Sequence, residues 1–216
     1  MAIEKVHLRK LLQLFGMKQN KLVSQLRRDI LQSLKGGEGR DFYTPFWADV
    51  KQHVIGEKTL SVSVAERVEK SDQRKRRYPE LEKGFLEWWN EKRRWINEPF
   101  EFLDQSVRGV YTVEDPELTV KLENMLSLKI GDNAHRIIYP YFNREPALTE
   151  QLARQGLFVL SRGITQYKDV DFRIVDLTRS RSFSVQDLPF QGDEEESFIA
   201  NYQRVRDLWF ELLEQY

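Results

Sequence analysis

The sequence predicts an α+β or α/β protein, with a helical N-terminal region followed by a four-stranded mixed sheet flanked by helices. Three observations indicate this class. Apolar residues recur every three or four positions through much of residues 1–96, they alternate with polar residues from 118 onward, and an amphipathic segment closes the chain. We therefore expect a helical region at residues 1–96 and an α/β core at residues 97–216, packed as one compact unit.

The helical region is divided by glycine, proline and polar segments. A Gly36-Gly37 pair is expected to stop one helix, and Thr44 followed by Pro45 predicts the start of the next. Residues 71–79 are polar and end in proline, so we expect a loop there. Apolar spacing then gives these predicted helices: residues 3–15, 20–35, a helix starting at Pro45 with Thr44 as its N-cap, 62–71 and 80–96.

The second region predicts four strands and two helices. Alternation is clearest over residues 118–130, where only Asn124 interrupts the apolar series. The turn at 131–133 makes residues 118–141 a hairpin. The predicted strands are residues 106–115, 118–130, 134–141 and 171–185, and the predicted helices are 146–163 and 193–216. The first of these helices is long enough to form a crossover between two parallel strands.

Composition excludes several classes of protein. The chain has no cysteine, which rules out disulfides and thiolate-bound metals and fits a cytoplasmic protein. No apolar stretch is long enough to span a membrane, so membrane association is not expected. The net charge of zero conceals an asymmetry, because residues 1–100 hold 21 Lys and Arg against 14 Asp and Glu. The basic half can attract phosphates or dock on the acidic half of the same chain.

The segment "VKLENMLSLKIGDNAHRIIYPYF", residues 120–142, and the helix after it set out a recognisable order of elements. Over residues 80–190 the chain resembles the RecB-like branch of the PD-(D/E)XK nuclease superfamily. That resemblance implies a helical region before a β-β-β-α-β core. It also implies one acid from the second strand, a D/E-x-K triplet ending the third strand and a Q-x-x-x-Y helix. In the family the acids hold Mg²⁺, which activates water to attack phosphate.

The resemblance places Glu123 at the position of the first acid. Tyr139 and Tyr141 then stand at the acid and lysine of the triplet, and Gln151 matches the helix glutamine, while Gln155 replaces the helix tyrosine. A tyrosine phenol stays protonated at neutral pH and does not substitute for a carboxylate ligand. We therefore expect a degenerate site with no catalytic residue, no metal and no cofactor.

Two basic clusters and one basic strand end are candidate nucleic-acid contacts. They are Arg74, Lys75, Arg76 and Arg77; Lys92, Arg93 and Arg94; and Arg179 with Arg181. The first two clusters are interleaved with Tyr78 and three tryptophans, a combination that holds nucleic acid without sequence preference. The alternative is a solvated loop beside core aromatics. Arg179 and Arg181 could equally form salt bridges to the acidic terminal helix.

Three functional hypotheses remain open from the sequence. The first is a non-catalytic, nuclease-like binding module for nucleic acid or for a partner protein in a nucleic-acid-related complex. The second is a metal-dependent nuclease with relocated carboxylates, for which Asp132, Asp169, Asp171 and Asp176 are available. The third is a protein-interaction subunit with no nucleic-acid contact. The histidines lack zinc-site spacing, and neither a nucleophile elbow nor a phosphate-binding glycine loop is present.

Overall fold

The computed structural model of the protein describes residues 3–35, 41–103, 106–132 and 134–216. Within these residues the chain combines helices with two mixed sheets, which confirms the α+β class. The predicted Gly36-Gly37 stop and Asn133 of the hairpin turn lie outside the described residues.

The helices follow the predicted apolar spacing, with some shifted ends. Helix α7 is capped by Thr149, whose hydroxyl accepts a hydrogen bond from the Leu152 amide. The helix predicted over residues 80–96 ends early, because α6 passes into a π-helical turn at Trp88–Lys92 and Arg93 is extended. The helices are α1 Leu8–Phe15, α2 Gln19–Leu34, α3 Thr44–Val54, α4 Leu60–Glu69, α5 Asp72–Lys75, α6 Tyr78–Glu87, α7 Glu150–Gly163 and α8 Glu194–Leu213.

The strands form a three-stranded sheet and a five-stranded sheet. They are β1 Lys5–His7, β2 Phe100–Phe102, β3 Gly109–Val113, β4 Leu118–Leu122, β5 Leu126–Ile130, β6 Ala134–Tyr141, β7 Phe172–Asp176 and β8 Arg181–Phe183. The smaller sheet has the order β1-β4-β3 and the larger sheet the order β2-β5-β6-β7-β8. Strands β6 and β7 are parallel and connected through α7, whereas the other pairs in the larger sheet are antiparallel.

The predicted four-stranded sheet is wrong, because two of the four predicted strands divide. The run 118–130 separates into β4 and β5 at Asn124, whose φ of 64° is left-handed, and the two halves enter different sheets. The run 171–185 separates into β7 and β8 at a turn containing Ser180, with φ of 48°. Strands β1 and β2 have three residues each, too few to show a period of two.

The five-stranded sheet lies between two apolar layers, which fix its position in the core. One face, with Ile138 and Val175, packs against α3, α4 and α6. The other, with Ile137 and Ile174, packs against α1, α7, α8 and the smaller sheet. The N-terminal segment also contributes β1, which runs parallel to β4 with Lys5 opposite Thr119. Helix α6 approaches the β7–β8 turn so closely that Gly84 lies against the Leu177 carbonyl group.

Candidate nucleic-acid interface

A cavity of about 460 Å³ opens between the chain that follows α6 and the β7–β8 hairpin. We call it the cationic cleft, because six basic and three acidic side chains line it, which gives a net charge of +3. They are Lys92, Arg93, Arg94, Arg136, Arg173 and Arg181, with Glu98, Glu150 and Asp187. The cleft therefore brings together the predicted cluster 92–94 and the predicted Arg181, which are far apart in sequence.

The end of the π-helical turn positions the first cluster. The Arg93 amide donates to the Trp88 carbonyl at 2.9 Å, after which the backbone becomes extended. The Arg93 guanidinium then stacks 3.7 Å above the Trp89 ring centroid and 4.8 Å from that of Trp95. Its Nε and Nη1 are buried without a hydrogen-bond partner, and burial lowers the pKa of Arg93. Arg94 points outward and pairs with Asp187.

Arg173 of β7 forms the floor of the cleft together with Arg136 of β6. Its residue exposure is 8%, and its Nη1 donates to the carbonyls of Val170 at 2.6 Å and Phe172 at 2.7 Å. Its Nη2 donates to Gln186 Oε1 at 3.3 Å. No carboxylate within the described residues forms an ion pair with it. Arg173 therefore carries a buried positive charge whose hydrogen-bond acceptors are all neutral.

The positive charges of neighbouring arginines further disfavour the charged form of Arg173. Burial lowers the pKa of Arg173 to about 10, and the positive charge of Arg136 and, less strongly, that of Arg94 act in the same direction, while the carboxylates of Asp187 and Asp171 oppose them. Arg136 Nη1 donates to its neighbour's carbonyl at 2.7 Å and stands 4.0 Å from Asp171. Guanidinium groups that repel one another are stabilised by an anion that bonds to them together, so the floor is suited to an anion.

The rim of the cleft is formed by Lys92, Arg94 and Arg181, each of which has an acidic neighbour. Lys92 pairs with Glu87 at 2.5 Å and Arg181 with Glu150 at 2.5 Å. These pairs are solvent-exposed and contribute little to stability, so their cations can exchange the carboxylate for a ligand.

The first predicted cluster, residues 74–77, lies outside the cleft. Arg74 stacks over the Tyr78 ring at 5.6 Å, Lys75 pairs with Asp72 at 2.6 Å, and Arg76 is exposed. Arg77 points inward, where Nη2 donates to the Phe142 carbonyl and, at 2.9 Å, to Thr178 Oγ1. Its role is therefore to hold the end of β6 to the β7–β8 turn.

Arg179 is likewise separated from Arg181. Its Nη1 donates to Asp176 Oδ2 at 2.9 Å, and its Nη2 donates to the Arg144 carbonyl at 2.6 Å. Asp176 is 1% exposed, and burial raises the pKa of Asp176 despite this partner. Arg179 thus compensates a buried carboxylate instead of facing the cleft.

The tryptophans interleaved with the basic clusters do not offer free faces. Trp88, Trp89 and Trp95 are 2%, 6% and 5% exposed and belong to the core between the sheet and α6. Base stacking on them is therefore closed off, and the cleft presents charge and hydroxyl groups instead.

The residues that were predicted to form a degenerate site meet only in part. Glu123 and Tyr139 line a cavity of about 270 Å³ together with His7, Arg9 and Asp41. The Tyr139 hydroxyl accepts a hydrogen bond from the Arg9 amide at 2.9 Å, and burial raises the pKa of Tyr139 to about 12. Beside this cavity, Lys51 Nζ donates to Asn124 Oδ1 at 3.1 Å, and burial lowers the pKa of Lys51 to about 8.

Tyr141 and Gln151 do not join that cavity. The Tyr141 hydroxyl donates to the Pro146 carbonyl at 2.7 Å, and burial raises the pKa of Tyr141. Gln151 is exposed on α7 and lines a separate cavity with Gln155. Tyr139 and Tyr141 therefore both use their hydroxyls to fix the backbone around the end of β6.

The carboxylates available for a relocated metal site are dispersed. Asp171 accepts hydrogen bonds from the amides of His135 at 3.2 Å and Lys168 at 3.0 Å, and Asp176 is bound by Arg179. Across the described ranges, no group of three or more His, Cys, Asp or Glu side chains could hold a metal ion. Over the same ranges, no helix is long and apolar enough to cross a membrane.

Comparison of the chain with protein-family models, with curated proteins and with solved structures found no match.

Sequence reasoning missed Arg136 and Arg173, the two floor residues. Each is a single arginine in a strand, so neither belongs to a basic run. The signal that could have revealed Arg173 is its position in "FRIVD", where a cation stands between apolar residues of a fully buried strand. A charged side chain in a buried strand must be ion-paired or hydrogen-bonded to offset the loss of its hydration.

Proposed function

We propose that the protein is a non-catalytic, nuclease-like module that binds nucleic acid through phosphate contacts in the cationic cleft. The observation that carries this proposal is the group of Arg94, Arg136 and Arg173, which line one cleft with Arg94 at its rim, while Arg173 forms no ion pair in the described chain. Charge-assisted hydrogen bonds from guanidinium to phosphate are among the strongest available to a protein surface.

The order of elements supports the nuclease-like part of the proposal. With β3 and β4 of the smaller sheet left out, the strands β2, β5 and β6, helix α7 and strand β7 follow one another as β-β-β-α-β, and all four strands belong to the larger sheet. In that alignment β5 is the second strand, Glu123 precedes it, and Tyr139 and Tyr141 end the third strand. Their neutral, hydrogen-bonded phenols provide neither a metal ligand nor a cationic group, which favours binding over phosphodiester cleavage.

The experiment compares two charge reversals of equal size. Binding of fluorescent single- and double-stranded oligonucleotides is measured by anisotropy at two salt concentrations. The test protein carries Lys92→Glu and Arg94→Glu on the rim, and the control carries Lys75→Glu and Arg76→Glu outside the cleft. We expect the rim variant to bind at least about tenfold more weakly, since each phosphate interaction that it removes is a charge-assisted hydrogen bond of roughly 1.5–3 kcal/mol.

The salt dependence provides a second criterion. Removal of each cation–phosphate interaction should reduce the slope of log K against log salt by about 0.7–0.9. Equal weakening in both variants would mean that general surface charge, and not the cleft, attracts nucleic acid. Absence of binding in the unmodified protein would refute the proposal and favour the protein-interaction alternative. Metal-dependent cleavage that disappears in Glu123→Ala would refute its non-catalytic part.

A further inference from the structure

The basic side chains of the cationic cleft are exposed at its rim and buried at its floor. The side chains of Arg94, Arg181 and Lys92 are 73%, 53% and 46% exposed. At the floor, the Arg136 side chain is 18% exposed and the Arg173 residue 8%. A ligand can therefore contact the rim from solution, but it must enter the recess to reach Arg173.

This depth discriminates between two kinds of phosphate. A phosphate inside a strand is a diester with a sugar on both sides, and those sugars keep it from projecting into a recess. A terminal phosphomonoester is attached to one sugar only. It carries about −1.5 to −2 charge at neutral pH and three acceptor oxygens, which suits a floor of two guanidinium groups.

The walls of the cleft indicate that the phosphate, not the base, occupies the floor. Trp88 and Phe183 are each 2% exposed, and the face of Trp95 is covered by Arg93. The hydroxyl of Ser184 donates to Asp187 Oδ2 at 2.7 Å, so the polar lining belongs to a network of charged groups. A ligand held in this way is recognised by charge and shape without base readout.

We propose that Arg136 and Arg173 bind the terminal phosphomonoester of a nucleic-acid strand while the rim cations contact the adjoining backbone phosphates. The inference rests on the proposed function and specifies which part of the ligand enters the cleft. The protein would thus recognise the phosphorylated ends of nucleic-acid strands.

The test uses three fluorescent oligonucleotides of one sequence, with a 5′-phosphate, a 3′-phosphate or hydroxyls at both ends. The label is placed internally so that both ends stay free. We expect one phosphorylated form to bind the unmodified protein at least about tenfold more tightly than the hydroxyl form, the equivalent of one charge-assisted hydrogen bond. A higher pH, at which the monoester is fully dianionic, should preserve this preference.

The decisive variant is Gln186→Glu, matched by Gln73→Glu. Gln186 is exposed and accepts from Arg173 at 3.3 Å, so a carboxylate there gives Arg173 an ion-pair partner without changing its packing. We expect the preference for the phosphorylated end to fall to within about twofold of unity in Gln186→Glu, through competition with this internal carboxylate. Gln73 is exposed on α5. Gln73→Glu should retain the preference.

The outcomes separate this inference from the proposed function. Equal binding of all three oligonucleotides, weakened by the rim reversals, would overturn end recognition and leave nucleic-acid binding intact. An end preference that survives Gln186→Glu would also overturn the assignment of the floor. If none of the oligonucleotides binds, the proposed function fails, and end recognition fails with it.

Discussion

Arg76 and Arg77 are adjacent in sequence, yet the structure gives them opposite roles, and their alanine variants test that difference. Arg76 is exposed, whereas Arg77 donates from Nη1 to Glu80 Oε2 at 2.5 Å and from Nη2 to the Phe142 carbonyl and Thr178. Removing the guanidinium of Arg77 therefore disconnects α6 from the end of β6 and from the β7–β8 turn. Removing that of Arg76 leaves these contacts unchanged.

The magnitude follows from the hydrogen bonds that Arg77→Ala removes. A hydrogen bond to a charged group contributes roughly 1.5–3 kcal/mol. The hydroxyl of Thr178 donates to the Phe142 carbonyl at 3.4 Å and offsets part of this destabilisation. We therefore expect Arg77→Ala to lower the free energy of unfolding by about 2 kcal/mol and Arg76→Ala by less than about 0.5 kcal/mol. For a chain of this size, 2 kcal/mol corresponds to about 4–8 °C in Tm.

Urea unfolding monitored by tryptophan fluorescence, with thermal unfolding as a second probe, measures both variants. Oligonucleotide binding by the folded proteins is measured in parallel, and neither variant should weaken it by more than about twofold, since neither residue lies in the cleft. Equal stability of the two variants would refute the structural role of Arg77. Binding that weakens strongly in Arg76→Ala would show that the nucleic-acid path extends beyond the cleft.

Substitutions at three other positions should change unfolding in urea. Asn124→Ala should cost about 1–2 kcal/mol and Asn124→Gly less, because φ at this position is 64°. Gly84→Ala should cost about 2 kcal/mol, since overpacking against the Leu177 carbonyl exceeds the gain of about 1 kcal/mol in helix propensity. Burial lowers the pKa of Lys51 from 10.5 to about 8, so the unfolded chain binds more protons between these values. Stability should therefore rise with pH across that window, and Lys51→Met should lack this rise.

Each of these expectations has a contradicting result. Asn124→Ala that is as stable as Asn124→Gly would mean that left-handed backbone does not limit the β4–β5 junction. A neutral Gly84→Ala would mean that α6 can move away from the turn. A rise in stability above pH 8 that persists in Lys51→Met would assign it to another group.

The fold class was predictable because helix and strand periods are local properties of the sequence. The division of residues 118–130 was not predictable, since both halves alternate with the same period and only their partners differ. Strand β4 pairs with β1 and β3, whereas β5 pairs with β2 and β6. Asn124 was the one local indication, and its tolerance of the left-handed region explains why the chain changes sheets there.

The candidate site was predictable only where charges are adjacent in sequence. The cluster 92–94 was identified from the sequence, but its meeting with Arg181 depends on the β7–β8 hairpin. The cluster 74–77 contains four cations, one more than 92–94, yet it lies outside the cleft, and Arg77 is engaged in internal hydrogen bonds. A run of basic residues thus predicts a local concentration of positive charge, whereas tertiary packing determines the direction of each side chain.

The pairing of β1 with β4 has a consequence for how the chain is made. Lys5–His7 is translated before its parallel partner Leu118–Leu122, which lies more than a hundred residues later. Helices α1 and α2 also pack against the late helix α8. The apolar residues of β1, α1 and α2 therefore remain uncovered until β4 and α8 have emerged from the ribosome. Such long-range contacts slow folding and leave the incomplete chain prone to aggregation.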